Sequence, residues 1–292
     1  MSVTRIAHLT DSHTTSLEGV TPRELLSKRL LGYISWRRKR RFRHTQAMLE
    51  AATQSALRHE PDALVLTGDL LHIGLAQEMR EIRPWLTSLI DRLPVLLVPG
   101  NHDLYTADSY QHWQSELGDL PIFGDPVSRD SEWPRQLVVN DVRIIGLSSA
   151  YPAPLRRADG RLGESQRQCL SNTLGNARDQ ASDAPQNTLL ALHHPAETTL
   201  CAERKSLLDA AELKRIINDN SVTGLVHGHL HENLSYQVGT TPCYCTASAS
   251  STHAPALASY RLLEFTGSNL MTNRLFQADG PTSPQFAERK AS

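Results

Sequence analysis

Residues 97–105 read LVPGNHDLY, a stretch in which an apolar run gives way to polar side chains. A short apolar run ends in Pro-Gly, and an amide, an imidazole and a carboxylate follow at once as Asn101, His102 and Asp103. Pro-Gly and Asn are ordinary turn residues, so a turn is a sufficient explanation for this stretch in isolation. The same succession, an apolar run followed by polar side chains, recurs along the chain and favours a common site.

Length and composition limit the classes of protein that need to be considered. The 292 residues suffice for one large α/β domain or two smaller ones with a substantial core. With 30 basic and 31 acidic residues the formal charge is −1, so no overall field attracts nucleic acid or a membrane. The four cysteines lack C-x-x-C spacing and are predicted to be reduced packing residues. Because no apolar run approaches about 18 residues and the N-terminus lacks a signal-peptide core, the sequence predicts a soluble, cytoplasmic protein.

Short β-rich runs alternate with helical patterns over most of the chain. Strands are predicted at 4–10, 63–67, 95–98, 137–147, 188–192 and 222–226, and helices at 44–58, 76–91, 164–176 and 207–218. This alternation is typical of an α/β fold with a mostly parallel, buried core sheet. After His231, four strands without helices are predicted at 234–238, 243–248, 257–265 and 270–276, which indicates a more antiparallel C-terminal sheet. Residues 277–292 are expected to form a frayed tail.

Five of the predicted strands end in side chains that bind metal ions in other proteins. In open α/β sheets, functional groups collect beyond the carboxyl ends of the strands. The five strand ends deliver, in chain order, Asp11 and His13; Asp69; Asn101, His102 and Asp103; His193 and His194; and His229 and His231. A capped turn or a core histidine explains any one of these motifs, but not all five together. Carboxylate, imidazole and amide ligands suit two divalent first-row metals, and no thiolate lies near enough in sequence to indicate a structural zinc site.

The ordered series D-x-H, G-D, G-N-H-D, H-x-P and G-H-x-H resembles the calcineurin-like metallophosphoesterase superfamily. The series runs from Asp11 to His231 and therefore covers most of the chain. The resemblance implies an α/β fold of the αββα type, with two sheets in a sandwich flanked by helices, as one domain over residues 1–276. In its organisation the chain is similar to bacterial class III cyclic-nucleotide phosphodiesterases and to glycerophosphodiester phosphodiesterases.

The resemblance also implies a dinuclear metal centre. One ion would be held by Asp11, His13 and His231, the other by Asn101, His193 and His229, and Asp69 would bridge the two. The ions would be Mn²⁺, Fe²⁺ or Fe³⁺, and Zn²⁺ is also compatible. Such a centre would hydrolyse phosphate esters, diesters above all, by in-line attack of a metal-bound hydroxide.

Further roles follow from the same resemblance. His102 would stand beside the phosphate without ligating a metal, either protonating the departing alkoxide or stabilising charge on the phosphate, and Asp103 would orient its ring. The family's ligand stands two residues before the proline, so His193 is chosen as the ligand, and His194 is expected to support it or to face the substrate. His72 follows Asp69 closely and is expected to line the same cleft.

Residues 21–43, TPRELLSKRLLGYISWRRKRRFR, form a basic amphipathic insertion. Thr21 and Glu24 have the spacing of a capping box and predict the start of a helix. The arginines that follow are candidate contacts for an anionic substrate: Arg37, Arg38, Arg40 and Arg41. Three interpretations remain open: a helix packed on the domain with solvated charges, an active-site cap, or an interfacial helix that binds anionic lipid. The third would bring a cytoplasmic protein to the inner face of the membrane.

The insertion departs from the simpler pattern of the cyclic-nucleotide enzymes and leaves the substrate open beyond a small phosphoester. One alternative is hydrolysis of a lipid-linked phosphoester or pyrophosphate at the membrane surface. A DNA nuclease is another, but the slightly negative charge and sparse aromatics make nucleic acid an unexpected partner. A non-catalytic membrane- or partner-binding module is a third, and the complete set of ligands argues against it. The sequence leaves the oligomeric state of the protein open.

Overall fold

A computed structural model describes residues 3–128, 131–178, 185–253, 256–267, 271–282 and 285–290. The strands in these residues are β1 Val3–Leu9, β2 Ala63–Leu66, β3 Val95–Leu97, β4 Asp125–Ser128, β5 Ser131–Val139, β6 Val142–Gly146, β7 Asn187–Ala191, β8 Gly224–His227, β9 Leu234–Val238, β10 Thr241–Cys245, β11 Ser259–Thr266, β12 Met271–Ala278 and β13 Phe286–Arg289. The α-helices are α1 Arg29–Ser35, α2 Arg41–Arg43, α3 Gln46–Leu57, α4 Ala76–Ile90, α5 Ser109–Leu117, α6 Glu164–Arg178 and α7 Ala210–Asn218.

The strands form two mixed sheets. The six-stranded sheet has the order β13-β12-β11-β1-β2-β3, in which β1, β2 and β3 are parallel and the other pairs are antiparallel. The seven-stranded sheet has the order β4-β5-β6-β7-β8-β10-β9, in which β6, β7, β8 and β10 are parallel. The two-sheet sandwich flanked by helices is confirmed. The parallel strands form one side of the first sheet and the middle of the second, and within each sheet their carboxyl ends point the same way.

The period-2 alternation of the strands places their side chains in three apolar layers. Val65 of β2 and Ile144 of β6 belong to the layer between the sheets. Their neighbours Leu64 and Leu66 face the other side of the first sheet, in a layer shared with α3, α4 and α5. Ile145 faces the other side of the second sheet, where α6 and α7 pack. Because both faces of each sheet are covered, these strands are continuous apolar runs in the sequence.

Two sequence predictions about the C-terminal part need correction. The strands after His231 do not form a sheet of their own: β9 and β10 extend the second sheet, while β11, β12 and β13 extend the first. The frayed tail over 277–292 is wrong for Phe286–Arg289, which pairs antiparallel with β12. Phe286 packs 5.6 Å from the Tyr260 ring, and this contact gives the polar tail an apolar attachment. Residue 270 of the predicted strand 270–276 lies outside the described residues.

Most other elements lie within a few residues of their predicted positions, and three were not predicted. Among the strands and α-helices of the described residues, these are α5, β4 and β13. Cys243 and Cys245 are buried in β10, and all four cysteines are free thiols, as predicted. None of the helices in the described part of the chain combines the length and apolar character that a membrane crossing needs.

The basic insertion, residues 21–43, is called the cap below, and its helix begins later than predicted. The capping-box contacts exist, since the Thr21 amide and hydroxyl donate to Glu24 Oε2 at 2.8 and 2.7 Å. The chain nevertheless continues in turns to residue 28, with Ser27 at φ 115°, and becomes helical only at Arg29. A left-handed residue interrupts a right-handed helix, which is the physical reason for the late start.

The cap is anchored to the rest of the protein by a buried cation. Arg29 is 5% exposed, and its guanidinium donates to the Ile73 and Gly74 carbonyls at 3.1 Å each and to Asp108 at 2.8 Å. After α1 the helix widens into a π-helical turn over Trp36–Arg40, a feature often found at functional sites. The cap therefore lies on the loop that follows β2.

Candidate metal centre

Seven side chains predicted to bind metal ions meet at one edge of the sandwich. They follow the carboxyl ends of β1, β2, β3, β7 and β8 and are Asp11, His13, Asp69, Asn101, His193, His229 and His231. Six of them are at least 90% buried, and His231 is partly exposed. Since β1 to β3 and β6 to β8 are parallel within their sheets, their carboxyl ends bring these residues together.

One group surrounds the carboxylate of Asp11. Its Oδ1 lies 3.3 Å from His231 Nε2 and 3.9 Å from His13 Nε2. The same His13 nitrogen lies 3.6 Å from Asp69 Oδ2. One ligand atom from each of Asp11, His13 and His231 lies within 4.8 Å of the others, which is a spacing that one cation can span.

A second group surrounds Nε2 of His193. This nitrogen lies 3.2 Å from Asn101 Oδ1, 3.4 Å from Asp69 Oδ2 and 3.2 Å from His229 Nδ1. Asp69 Oδ2 is therefore close to both groups through a single oxygen atom. The two groups are adjacent, with Asp69 between them.

The donor atoms of these groups fit cations. Asp11 Oδ1, His13 Nε2 and His229 Nε2 are buried and have no hydrogen-bond partner among the described residues. Burying an unpaired polar atom is costly, so lone pairs without partners in one cavity are suited to a positive ion. His13 Nδ1 donates to the Leu71 carbonyl at 2.7 Å, and this contact turns Nε2 of the neutral ring toward the centre.

The electrostatics of the site also favour positive charge. Burial opposes ionisation of Asp69, but His193 and His102 outweigh it and hold the pKa of Asp69 well below its ordinary value. Burial alone would lower the pKa of His193, yet Asp69 and Asp11 raise it to about 9. The carboxylates that retain a proton on His193 would equally retain a metal ion in its place.

The backbone carries strain at these residues. Five of the predicted ligands have positive φ: Asp11 at 52°, His13 at 42°, Asp69 at 54°, His229 at 71° and His231 at 57°. Non-glycine residues adopt this region at a cost and concentrate there at functional sites. The backbone is also tightly packed at Gly100, because a Cβ atom there would collide with the Asp69 carboxylate. Folding free energy is thus spent on bringing the ligand atoms together.

His102 lies beside the two groups, and its neighbours differ from those predicted. Its Nδ1 lies 2.5 Å from the His72 carbonyl and 3.0 Å from Arg40 Nη1, contacts that require opposite tautomers. Burial, followed by the Arg40 charge, lowers the pKa of His102 to about 3. His72 itself is buried and stacks 5.5 Å from the His13 ring, so it borders the cleft from the other side.

Asp103 does not orient His102, and that prediction is corrected. Its Oδ2 accepts from the Asp69 and Gly100 amides at 2.8 Å each, and its Oδ1 accepts from the Leu70 and Leu71 amides at 2.9 and 3.1 Å. Burial and repulsion from Asp69 raise the pKa of Asp103 to about 7 against these four hydrogen bonds. Asp103 therefore fixes the loop that carries Asp69, rather than an imidazole.

Of the two roles expected for His194, supporting His193 or facing the substrate, its contacts favour the first. His194 is fully buried, and its ring nitrogens contact Ser149 Oγ at 2.8 Å and the Ala158 carbonyl at 3.3 Å. A ring nitrogen of His194 lies within 4.8 Å of nitrogens of His193 and His229, which makes it a packing neighbour of the second group. Both of its nitrogens are already hydrogen-bonded, so it has none to offer a substrate.

Only one of the four candidate arginines in the cap reaches His102. Arg40 does so from the end of the π-helical turn. Arg37 and Arg38 are exposed. They border neither the cavity beside His102 nor the one beside His13 and His72, so their predicted substrate contact is not supported. Arg41 lies over the Phe42 ring at 4.6 Å and borders a cavity with His13 and His72.

Several residues near the site were not predicted from the sequence. His44 lies 5.1 Å from the His13 ring and 5.6 Å from the His231 ring, and Glu78 accepts the His72 amide at 2.6 Å. No local motif distinguishes these residues from ordinary core or helix positions. Their proximity depends on loops that the sequence pattern does not specify.

Comparison with known proteins agrees with this geometry. A family model described as calcineurin-like phosphoesterase matches residues 4–233. A cAMP/cGMP dual specificity phosphodiesterase of Mycobacterium tuberculosis is 30% identical over 208 residues, which cover 68% of this chain and 58% of that protein. A probable cyclic nucleotide phosphodiesterase of Synechococcus is 32% identical over 209 residues, covering 70% of this chain and 72% of that protein.

Among solved structures, a purple acid phosphatase from yellow lupin seeds superimposes with a TM-score of 0.61 at 11% identity. The match covers 98% of this chain and 53% of that chain, and it supports the fold alone. The chain spans 58% of the length of the mycobacterial relative, so the activity of that protein is not transferred as a whole. The family model, which matches residues 4–233, and the relative that is 32% identical show that the chain belongs to the calcineurin-like phosphoesterase family of metal-dependent phosphoester hydrolases.

Proposed function

We propose that the protein hydrolyses phosphodiesters at a centre of two divalent metal ions. The observation that carries the proposal is the position of Asp69 Oδ2, 3.6 Å from His13 Nε2 and 3.4 Å from His193 Nε2. A carboxylate so placed is suited to bridge two ions. The assigned ligands are Asp11, His13 and His231 for one ion, Asn101, His193 and His229 for the other, and Asp69 for both. Mn²⁺ or iron suits this mixture of oxygen and nitrogen donors, and Zn²⁺ is also compatible.

Bound ions of this kind supply Lewis acidity and a hydroxide nucleophile at neutral pH. The residues of the chain supply position and charge around them. Asp103 holds the Asp69 loop through three of its amides. The His102 amide donates to Asp69 Oδ1 at 2.7 Å, which leaves Oδ2 directed at the centre. The His102 ring stands next to Asn101, where a phosphate oxygen or leaving group would lie. Arg40 adds a fixed positive charge beside it.

The preference for diesters rests on the relatives rather than on the metal centre. Both phosphodiesterases reported above are described as acting on cyclic nucleotides, which are small diesters. A small, soluble phosphoester is accordingly the proposed class of substrate. Single-stranded DNA is a useful comparison substrate because a nuclease would share the same centre.

The proposal predicts hydrolysis of bis-p-nitrophenyl phosphate that depends on added metal. We expect dialysis against a chelator to abolish the release of nitrophenolate and Mn²⁺ to restore it, while p-nitrophenyl phosphate is cleaved more slowly. Circular dichroism of the stripped protein checks that the fold is retained. A folded, metal-loaded preparation that cleaves neither compound would contradict an enzymatic function.

We also propose that the cap binds anionic lipid. Its apolar side chains Leu26, Leu30, Leu31 and Ile34 are 74, 48, 48 and 37% exposed. Three consecutive exposed basic residues follow, Arg37 to Lys39. Exposed apolar residues beside basic ones match the two components of an anionic membrane surface.

Sedimentation with vesicles checks the lipid proposal. Wild type is expected to pellet with phosphatidylglycerol vesicles, less with phosphatidylcholine vesicles, and less at high salt. Leu26→Ser with Leu30→Ser should release most of the protein into the supernatant. The matched control removes exposed apolar side chains elsewhere, Val138→Ser with Leu208→Ser, which are 50 and 48% exposed. Equal loss in both variants, or no pelleting of wild type, would contradict the proposal.

A further inference from the structure

A cavity of about 250 Å³ opens beside Asn101 and His102, next to the metal centre. Among the described residues, its lining contains six basic side chains and no carboxylate. The basic side chains are Lys28, Arg40, Arg156, Arg157, Arg204 and Lys205. They come from three separate segments: the cap, the loop after β6 and the turn at Glu203–Lys205. This cavity is called the basic pocket below.

Most of these basic side chains have no ion-pair partner among the described residues. Arg157 pairs with Asp159 and lies 3.7 Å from Glu203. The other five basic side chains form no ion pair within the described parts of the chain. Like charges that converge on one cavity repel one another, and a bound anion would relieve that repulsion.

Two of the cations are also partly withdrawn from water. Arg40 contacts the His102 ring at 3.0 Å, and burial lowers the pKa of its guanidinium. Lys28 Nζ donates to the Ala153 carbonyl at 2.5 Å and lies 4.5 Å from the centre of the Tyr105 ring. Burial lowers the pKa of Lys28 to about 8. A partly desolvated cation that pairs directly with no carboxylate is costly, and a bound phosphate would supply a direct partner.

A simple phosphodiester does not account for this pocket. Its one negative charge would already lie at the metal centre, against two divalent ions. The pocket adjoins that centre through Asn101 and His102, so the anion it accepts is next to the scissile phosphorus. A second phosphate, joined to the first through a bridging oxygen, satisfies both the position and the charge.

We propose that the basic pocket binds the second phosphate of a pyrophosphate diester, such as a nucleoside diphosphate joined to an organic group. This rests on the proposed function and specifies its substrate. The oxygen of water joins the phosphorus at the metal centre, and the bond from that phosphorus to the bridging oxygen breaks. Two phosphate monoesters result, and the two protons of water are distributed between them. The pocket then stabilises the charge that develops on the departing phosphate.

The experiment compares a one-phosphate and a two-phosphate substrate in wild type and a pocket variant. The substrates are thymidine 5′-monophosphate p-nitrophenyl ester and ADP-ribose, each assayed with Mn²⁺. Wild type is expected to show at least about tenfold higher kcat/KM for ADP-ribose, because each charge-assisted contact contributes about this factor. Arg204→Gln with Lys205→Gln should lower kcat/KM for ADP-ribose about 10- to 100-fold and that for the thymidine ester less than about threefold.

A matched control removes two exposed positive charges outside the pocket, Arg23→Gln with Arg161→Gln. It is expected to leave both values within about twofold of wild type, since exposed charges act weakly at a distance. A second readout compares inhibition by methylenediphosphonate with inhibition by methylphosphonate at constant free Mn²⁺. Neither inhibitor carries a nucleoside or a sugar. Wild type should prefer the diphosphonate, and the pocket variant should lose that preference.

The outcomes separate this inference from the proposed function. If wild type cleaves neither substrate nor bis-p-nitrophenyl phosphate, the proposed function fails. If wild type cleaves the thymidine ester without preferring ADP-ribose or the diphosphonate, the basic pocket does not bind a second phosphate. Equal losses for both substrates in the pocket variant, or a selective loss in the control variant, overturn the inference as well. Thermal melting of each variant identifies any loss that is due to unfolding.

Discussion

Replacing Asp69 with asparagine is expected to lower kcat roughly a thousandfold or more, because the ions that it is proposed to hold would contribute several kcal/mol of charge stabilisation. The amide has the same shape but lacks the charge, and one of its two atoms is a donor. Since Asp69 Oδ2 lies between His13 and His193, the substitution affects both groups of ligands at once. Metal content should fall from two ions per chain to one or fewer.

Elemental analysis and turnover of bis-p-nitrophenyl phosphate measure the two effects together. The control is Asp141→Asn, the same change at a carboxylate that accepts from Thr4 Oγ1 at 2.7 Å, at the start of β6 and therefore at the opposite end of the sheet. It is expected to keep both ions and to retain activity within about twofold, as distant sites act independently. Full metal content and near-normal turnover in Asp69→Asn would exclude a bridging carboxylate.

The convergence of the ligands could be predicted because it depends on strand ends. Asp69 and Asn101 follow β2 and β3, adjacent parallel strands, so their positions follow from the alternation of strands and helices. Each strand is a recognisable apolar run buried on both faces. The αββα arrangement itself was implied by the resemblance of the ordered motifs to a known family. The division of the C-terminal strands between two sheets followed neither from that resemblance nor from the alternation of strands and helices. Antiparallel strands at sheet edges can join either sheet with the same local pattern.

The surroundings of the metal centre could not be predicted, for a different reason. WRRKR does not indicate which of its basic residues turns inward, and a π-helical turn directs Arg40 rather than Arg37 toward His102. Asp103 follows His102 directly in sequence, yet its carboxylate points at the amides of the Asp69 loop. Arg204, in the basic pocket, lies more than 160 residues from the cap in sequence. Contacts between loops have no periodicity, so no sequence pattern predicts them.

His102→Ala is expected to separate metal binding from catalysis. The His102 amide donates to Asp69 Oδ1 at 2.7 Å, and alanine keeps that bond, so both ions should remain. The ring, 9% exposed and stacked 5.4 Å from Tyr105, is lost. Because a positioned proton donor or a group that stabilises charge on the phosphate contributes about 10²-fold or more, kcat should fall by at least that factor while metal content stays at two. His112→Ala, which removes a partly exposed imidazole 3.3 Å from the Gly74 carbonyl, is the control and should retain activity.

The basicity of the leaving group then distinguishes the two roles of the His102 ring. Nitrophenolate departs without a proton, whereas an alkoxide requires one. If the ring protonates the departing oxygen, His102→Ala should impair a glycerophosphodiester at least about tenfold more than bis-p-nitrophenyl phosphate, in line with general acid catalysis. If the ring instead stabilises charge on the phosphate, both substrates should lose the same factor. Loss of the ions from His102→Ala would contradict both roles, since it would make the imidazole a part of the metal site.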